Sequence, residues 1–135
     1  MRITVIDGHG GMLGAQLVRE ISQQIDNAEI TAVGTNAVAT AAMLKSGAHK
    51  AATGENPVIV ACRRADVIIG PVGIVIADSL AGEITPKMAV AVGQSDATRI
   101  LIPMNKCENL IAGIKNITTG ELIEDVLEKL KSLSV

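Results

Sequence analysis

The chain has 135 residues, of which 48% are apolar and none is Phe, Tyr or Trp. This length and composition predict a single globular domain over residues 1–135 with an aliphatic core, and they exclude a disordered chain. The net charge of −2 and the lack of both a basic patch and aromatic side chains on which bases stack argue against a nucleic-acid partner.

Cysteine usage and hydropathy indicate where the protein works. Cys62 and Cys107 stand far apart and no CxxC or Cys/His cluster occurs, so we expect no metal site. The longest apolar run, residues 72–77, is far shorter than the roughly 20 residues of a membrane span. The first apolar run is broken at Asp7, too early for a signal peptide. These features predict a soluble, reduced, cytoplasmic protein with no membrane contact.

The first half of the chain alternates between predicted strands and helices. Residues 3–6 and 30–33 are short apolar runs that predict buried strands. Between them, apolar positions recur every four residues, as on one face of a helix, at Leu13, Leu17, Ile21 and Ile25. Asn36 is placed to cap a helix over residues 37–46, and a weaker strand follows at residues 48–52.

Two helix starts and a strand follow. Asn56 before Pro57 predicts a capping residue followed by proline at the first helical position, and Thr85 before Pro86 predicts the same arrangement further on. Residues 66–69 form the apolar run of a fourth strand between these two helices.

The last third of the chain adds a strand, a second candidate strand and a helix. Residues 99–102 predict a fifth strand, and residues 110–114 a sixth one at the edge of the sheet. Thr118 with Glu121 matches a capping box at the start of the last helix. The alternation predicts a three-layer α/β domain with a mostly parallel sheet of five or six strands and helices on both faces.

A glycine-rich turn between the first strand and the first helix is the most informative motif. Glycines in such a turn let the backbone approach a ligand and leave N–H groups free to face an anion. We therefore expect ligand contacts from the residues Asp7, Gly8, His9, Gly10, Gly11 and Gly14.

The same turn is an imperfect dinucleotide-binding fingerprint. GxGxxG counted from Gly8 requires glycine at position 13, where the chain has Leu13. The acidic residue that would hold a ribose hydroxyl is also missing after the second strand, where Gly34, Thr35 and Asn36 stand instead. NAD(P) or another nucleotide is one candidate cofactor, and any phosphate-bearing ligand is another. A P-loop is excluded because no GK[ST] follows the glycines.

Glycine, amide and hydroxyl residues also follow the other predicted strands, where a parallel sheet binds its ligands. Beyond the first turn, the ligand-binding candidates are Gly34, Thr35, Asn36, Thr53, Gly54, Asn56, Gly70, Pro71 and Asn105. Ordinary turns and helix caps favour the same residue types, so a shared site and a set of local caps both remain open.

Two residues are candidates for acid–base catalysis. His9 lies inside the glycine-rich turn, and Glu55 follows the third strand. Neither has a partner that the sequence identifies, so a role for Glu55 as an ordinary acid in the first turn of a helix remains open. Asp7 can bond the N–H groups of its own loop, which we favour, or hold a hydroxyl, an ammonium group or a metal ion.

The segment of residues 72–84, from Val72 to Ile84, has no clear secondary structure. A hairpin, a short helix and a subunit contact all fit its pattern. Because a lone domain of this size lacks a second wall for a ligand site, we expect a homo-oligomer, most simply a homodimer. The apolar start of this segment is a candidate contact surface, with burial in the core as the alternative.

Several runs of the chain resemble a short bacterial family of unknown function. The resemblance is carried by residues 34–45, 52–56 and 70–74, and it extends through residues 82–88 and 102–103. It implies a Rossmann-like fold and brings no established reaction with it.

Three functions fit these observations. The leading hypothesis is a small-molecule-binding protein that holds a nucleotide or phosphate-bearing ligand at the glycine-rich turn. A second is a small metabolic enzyme that uses His9 or Glu55 on a bound metabolite. A third is a regulatory or structural subunit that docks a partner through residues 72–84.

Overall fold

A computed structural model of the chain describes residues 1–104 and 109–133. Its strands are β1 (Arg2–Asp7), β2 (Glu29–Gly34), β3 (Lys50–Thr53), β4 (Val67–Pro71) and β5 (Thr98–Ile102). Its helices are α1 (Met12–Gln24), α2 (Ala37–Lys45), α3 (Glu55–Arg64), α4 (Pro86–Gln94) and α5 (Thr119–Leu133). A single 3-10 turn, Val72–Val75, follows β4.

The five strands form one parallel sheet in the order β3-β2-β1-β4-β5. The chain moves outward from β1 to β3, then crosses through α3 to β4 on the other side of β1. This reversal places the loops that follow β1 and β4 next to each other at the carboxyl edge of the sheet. In sheets of this topology such a crevice is the usual place for a ligand.

The sheet separates two aliphatic clusters. One face packs against α1, α2 and α5, with Leu17, Met43 and Leu130 among its buried side chains. The other face packs against α3 and α4, with Val58 and Met88 among its buried side chains. The predicted three-layer arrangement with helices on both faces is therefore confirmed, and all five strands are parallel.

The helix caps agree with the sequence at Asn36, Thr85 and Thr118, whose hydroxyl accepts from N–H of Glu121 at 3.2 Å, and differ at Asn56. Asn36 caps α2 by accepting from the backbone N–H of Ala39 at 2.9 Å. Thr85 caps α4 with Pro86 at the first helical position. The prediction for α3 is wrong, because the helix begins at Glu55 with Gly54 as its cap and Asn56 lies inside its first turn.

Two ambiguous segments are also defined. Residues 110–114 contain a turn at positions 112–113 and do not form a sixth strand. Residues 72–84 consist of the 3-10 turn and a tight series of turns whose side chains Ile74, Leu80 and Ile84 are buried in the α3–α4 cluster. Those three side chains are therefore part of the protein's own core and are not available to a partner.

Within the described part of the chain, none of the helices combines the length and the apolar character needed to cross a bilayer.

Candidate functional site

The turns after β1 and β2 lie side by side at the carboxyl edge of the sheet. The backbone N–H of Thr35 donates to the carbonyl of Asp7 at 3.0 Å. Gly11 approaches the backbone of α2 so closely that a Cβ there would lie 2.7 Å from Cα of Ala39. The amino ends of α1 and α2 therefore converge on one spot, and both direct their positive dipole ends towards it.

Asp7 shapes the glycine-rich turn from inside. Its side chain is buried, and its two carboxylate oxygens accept from the backbone N–H groups of Gly8 at 2.8 Å and Gly14 at 2.7 Å. Burial is the main cause that raises the pKa of this carboxyl above its ordinary value, and the two backbone donors oppose that shift. Asp7 thus takes the role in its own loop that the sequence favoured, and no ligand is needed to explain its position.

Glycine is required at some positions of the turn and not at others. Gly11 has a φ of +72°, in the left-handed region that L side chains rarely adopt. A Cβ on Gly14 would lie 2.9 Å from Cβ of Asp7, whereas one on Gly10 would meet nothing closer than Cγ of Met12 at 3.9 Å. The space above Gly10 is therefore open.

A carboxylate from a distant part of the chain enters the turn. Oε1 of Glu83 accepts from the backbone N–H of His9 at 3.1 Å and from Nδ2 of Asn36 at 2.8 Å. The hydroxyl of Thr35 donates to the same oxygen. A Cβ on Gly8 would lie 3.0 Å from Oε1 of Glu83, so the turn is filled by the protein's own side chain at this end.

The second oxygen of Glu83 holds the imidazole of His9. Oε2 lies 3.0 Å from Nδ1 of His9, whose side chain is about half exposed. The hydrogen bonds from Thr35, Asn36 and His9 act against the desolvation of Glu83, and the pKa of Glu83 lies below its ordinary value. A carboxylate on Nδ1 is the arrangement that orients a histidine whose other nitrogen performs acid–base work.

The backbone that carries Glu83 has an unusual conformation. Asp78, Leu80 and Ala81 have positive φ angles of 67°, 55° and 56°, and Gly82 follows with 87°. Left-handed conformations are uncommon for residues other than glycine and are held only where packing over-determines them. Here the buried side chain of Leu80 fixes the segment against the α3–α4 cluster.

The other predicted site residues make separate local contacts. Glu55 accepts from the hydroxyl of Thr85 at 2.6 Å, and Thr53 bonds Thr40 through their hydroxyls at 2.7 Å. Gly70 and Pro71 end β4 and are buried. Gly34 and Gly54 shape the turns after β2 and β3, where N–H of Gly54 donates to the carbonyl of Gly34 at 2.9 Å. Asn56 is exposed on α3, and Asn105 lies outside the described residues.

The structure thus joins His9, Thr35 and Asn36 in one cluster around Glu83, and does not join Glu55 to it. The sequence allowed Glu83 to reach this edge or to contact another subunit, but it did not identify Glu83 as a site residue, because its partners stand 47 to 74 residues away. A usable signal was its place in the loop after the fourth strand, which in a sheet with a reversal of strand order lies beside the loop after the first. Among the described residues, no group of three or more metal-ligating side chains occurs.

The parallel sheet, its strand order and the glycine-rich turn at its carboxyl edge define a Rossmann-like α/β domain. The chain belongs to a family described as "Domain of unknown function (DUF3842)", whose profile matches residues 2–134. No curated protein matches the sequence. Among solved structures, the chain is similar to a dodecameric FMN-dependent UbiX-like decarboxylase from Escherichia coli O157:H7, with 14% identity and a TM-score of 0.46 over 100% of this chain and 95% of that one.

Proposed function

We propose that the protein binds a small molecule with an anionic group, such as a phosphate, at the turns after β1 and β2. The observation that carries the proposal is the threefold coordination of Glu83 Oε1 by His9 N–H, Thr35 Oγ1 and Asn36 Nδ2. These groups are donors arranged around one oxygen that bears negative charge. In this proposal, the Glu83 carboxylate occupies the position that the anion of the ligand takes when it binds.

The electrostatics of the edge support an anion at this position. The first N–H groups of a helix have no intrahelical acceptor, and the aligned peptide dipoles favour negative charge there. Two such helix starts, at Met12 and Ala37, lie beside the cluster. The same donors lower the pKa of Glu83, because they stabilise its negative charge. They would stabilise a negatively charged oxygen of a ligand in the same way.

The surface next to Gly10 offers room for the rest of a ligand. A Cβ on Gly10 has no neighbour nearer than 3.9 Å, and Met12 and Val38 at the two helix starts are 72% and 66% exposed. Exposed apolar side chains beside convergent polar donors are typical of a site that holds an apolar body by its polar end. A nucleotide, with a base and a phosphate, fits this description.

The experiment is a thermal-shift screen with nucleotides, sugar phosphates and inorganic pyrophosphate. A ligand at 100 times its Kd adds about 2.7 kcal/mol to the free energy of unfolding. We expect Glu83→Gln to bind the active probe about tenfold more tightly than the wild type, because the competing charge is removed while the side-chain shape is kept. If no probe raises the Tm of either protein, the proposal is wrong.

A matched pair of variants tests the place of binding. Gly10→Asp adds a negative charge in open space and should abolish the shift, whereas the neutral Gly10→Asn should retain it.

The Glu83→Gln variant also separates two binding modes. In the alternative mode, the Glu83 carboxylate stays in place and accepts from a hydroxyl of the ligand, as a ribose-binding acid does. Glu83→Gln would then bind the probe more weakly than the wild type. This result would contradict the proposal that the anion of the ligand takes the place of Glu83.

A second candidate function is acid–base catalysis by His9, favoured by the 3.0 Å contact of its Nδ1 with Glu83 Oε2. The contact predicts that neutral His9 carries its proton on Nδ1 and presents Nε2 to a substrate. Long-range ¹⁵N NMR reads this tautomer directly. We expect the Nδ1–H form in the wild type and its loss in Glu83→Gln, and an Nε2–H form in both would remove the argument for catalysis.

The cellular location and the oligomeric state stay predictions. We expect a cytoplasmic homodimer that adds a wall to the site. Native mass spectrometry of freshly purified protein reports the number of subunits and any retained ligand in one measurement.

A further inference from the structure

We infer a second binding site, separate from the glycine-rich turn, between α3 and the sheet, and we assign it to a small carboxylic acid with an apolar body. A cavity of about 510 Å³ lies there, lined by side chains of β1, β2, β3 and α3. This volume falls within the range of roughly 300–1,000 Å³ that small-molecule sites occupy.

The cavity follows from the path of α3. This helix packs Val58 and Cys62 into the α3–α4 cluster, while its other face, with Pro57 and Val60, overhangs β2 and β3. The strands beneath carry small side chains such as Ala52, so the helix and the sheet do not meet there. The walls of the cavity are therefore mostly aliphatic.

The floor contains hydroxyl groups without a protein partner. Thr4 and Thr31 are register partners on β1 and β2, so their side chains stand side by side on the same face of the sheet. Neither hydroxyl is hydrogen-bonded to any group among the residues that the structure describes. Thr4 is only 3% exposed. Because fully enclosed side-chain polar atoms in the described chain all have partners, the unpartnered hydroxyl of Thr4 reaches the cavity surface.

The charges around the cavity select an anion. Arg2, Lys50 and Arg64 line it together with a single acid, Glu29, although the whole chain has a net charge of −2. Lys50 pairs with Glu29 at 3.2 Å and Arg2 with Asp66 at 3.2 Å, whereas Arg64 makes no ion pair among the described residues. Hydroxyl donors on the floor, aliphatic walls and a free guanidinium match a carboxylate attached to an apolar chain.

The test is a methyl NMR titration of the full chain with sodium octanoate, and with octanamide as the neutral control. We expect saturable shifts of the Thr4, Thr31 and Val60 methyl signals with octanoate. Arg64→Gln should raise the Kd for octanoate roughly threefold, the effect of one solvent-exposed ion pair, and leave the Kd for octanamide unchanged. Val60→Trp, which fills the cavity, should abolish the shifts while the far-UV circular dichroism stays native.

Several outcomes would overturn the assignment. Shifts that do not saturate, or that spread over the surface without the Thr4 and Thr31 methyl groups, show non-specific binding only. A dimer in sedimentation velocity that becomes monomeric in Val60→Trp shows that a second copy of the chain covers this face. The Gly10→Asp variant should leave octanoate binding unchanged, so failure of this site and failure of the anion site at the turn are distinguishable.

Discussion

At the scale of single residues, the contact of Glu83 with the glycine-rich turn decides how this edge of the sheet behaves. One carboxylate ties together His9 after β1 and Thr35 and Asn36 after β2. The same contact stabilises the fold and occupies the donors that the proposed anionic ligand would use. Stability and binding at this position are therefore expected to change in opposite directions.

Glu83→Gln should lower the free energy of unfolding by about 1–3 kcal/mol at neutral pH, because charge-assisted hydrogen bonds become neutral ones. The pKa of Glu83 in the folded protein is lowered, so its contribution is complete above the ordinary pKa of about 4.3 and is lost as the pH falls through the folded value. Urea unfolding followed by far-UV circular dichroism at a series of pH values measures this. An equal difference between wild type and variant at neutral and at acid pH would contradict it.

Asp7 should show the opposite dependence on pH. Its folded pKa is raised, mainly by burial, so the folded state holds the proton more tightly than the unfolded chain does. Its contribution to stability therefore falls as the pH rises through the interval above its ordinary pKa of about 3.9. Compared with Asp7→Asn, which does not titrate, the wild type should lose stability over that interval. A wild type that gains on the variant would show that the two backbone donors outweigh burial.

Two glycines in different surroundings should respond unequally to a methyl group. Gly34→Ala places a Cβ 2.5 Å from the backbone nitrogen of Thr40 and should cost more than about 2 kcal/mol of unfolding free energy. Gly93→Ala lies near the end of α4 with no atom within 4 Å and should gain about 0.5 kcal/mol. Thermal unfolding of both variants checks the contrast, and equal effects would mean that the space around Gly34 is not limiting.

At the scale of elements, the loop before α4 connects the amino ends of α3 and α4. Thr85 caps α4 by accepting from N–H of Met88 at 3.2 Å and also donates to Glu55, the first residue of α3, at 2.6 Å. One hydroxyl therefore serves two helices.

Thr85→Ala should lower the free energy of unfolding by about 1–2 kcal/mol, the upper range for a helix cap. Thr118→Ala is the matched control, since Thr118 also caps a helix, by accepting from N–H of Glu121 at 3.2 Å, but among the described residues its hydroxyl forms no hydrogen bond to a second helix. We expect a smaller loss for the control, measured by urea unfolding. If the two losses are equal, the bond to Glu55 adds nothing.

The elements were predictable where the signal was local. The repeat of Leu13, Leu17 and Ile21 identified α1, and Asn36 and Thr85 identified helix starts, because a cap bonds a backbone group only three residues away. The first residue of α3 was not predictable, because proline is tolerated at any position of the first turn of a helix, where no N–H group has an intrahelical acceptor, and Pro57 therefore does not mark the exact start.

The candidate site was only half predictable for the same physical reason. The glycine-rich turn and the residues after β2 are visible in the sequence as local signals. The position of Glu83 depends on a segment with left-handed Asp78, Leu80 and Ala81 that Leu80 anchors in the core. No periodicity or turn preference encodes that path, so no local signal identifies its contact with His9, 74 residues away, and only the strand order brings the two loops together.

At the scale of the whole molecule, the sheet is stable only when both of its faces are covered. The last helix, α5, closes the face of α1 with Ile123, Val126, Leu127 and Leu130. Leu130→Ala should cost about 2–5 kcal/mol, because Leu130 is fully buried. Leu133→Ala is the control, since Leu133 is 44% exposed and should change the unfolding free energy little. Urea midpoints compare the two, and similar values would mean that α5 docks loosely.

The aliphatic composition of the chain has a practical consequence for the laboratory. With no Phe, Tyr or Trp, the polypeptide is nearly transparent in the near ultraviolet. Absorbance of a purified, nucleic-acid-free sample between about 250 and 300 nm would therefore come from a small molecule that stayed bound during purification. The absorption spectrum of that molecule would identify its chromophore without any label.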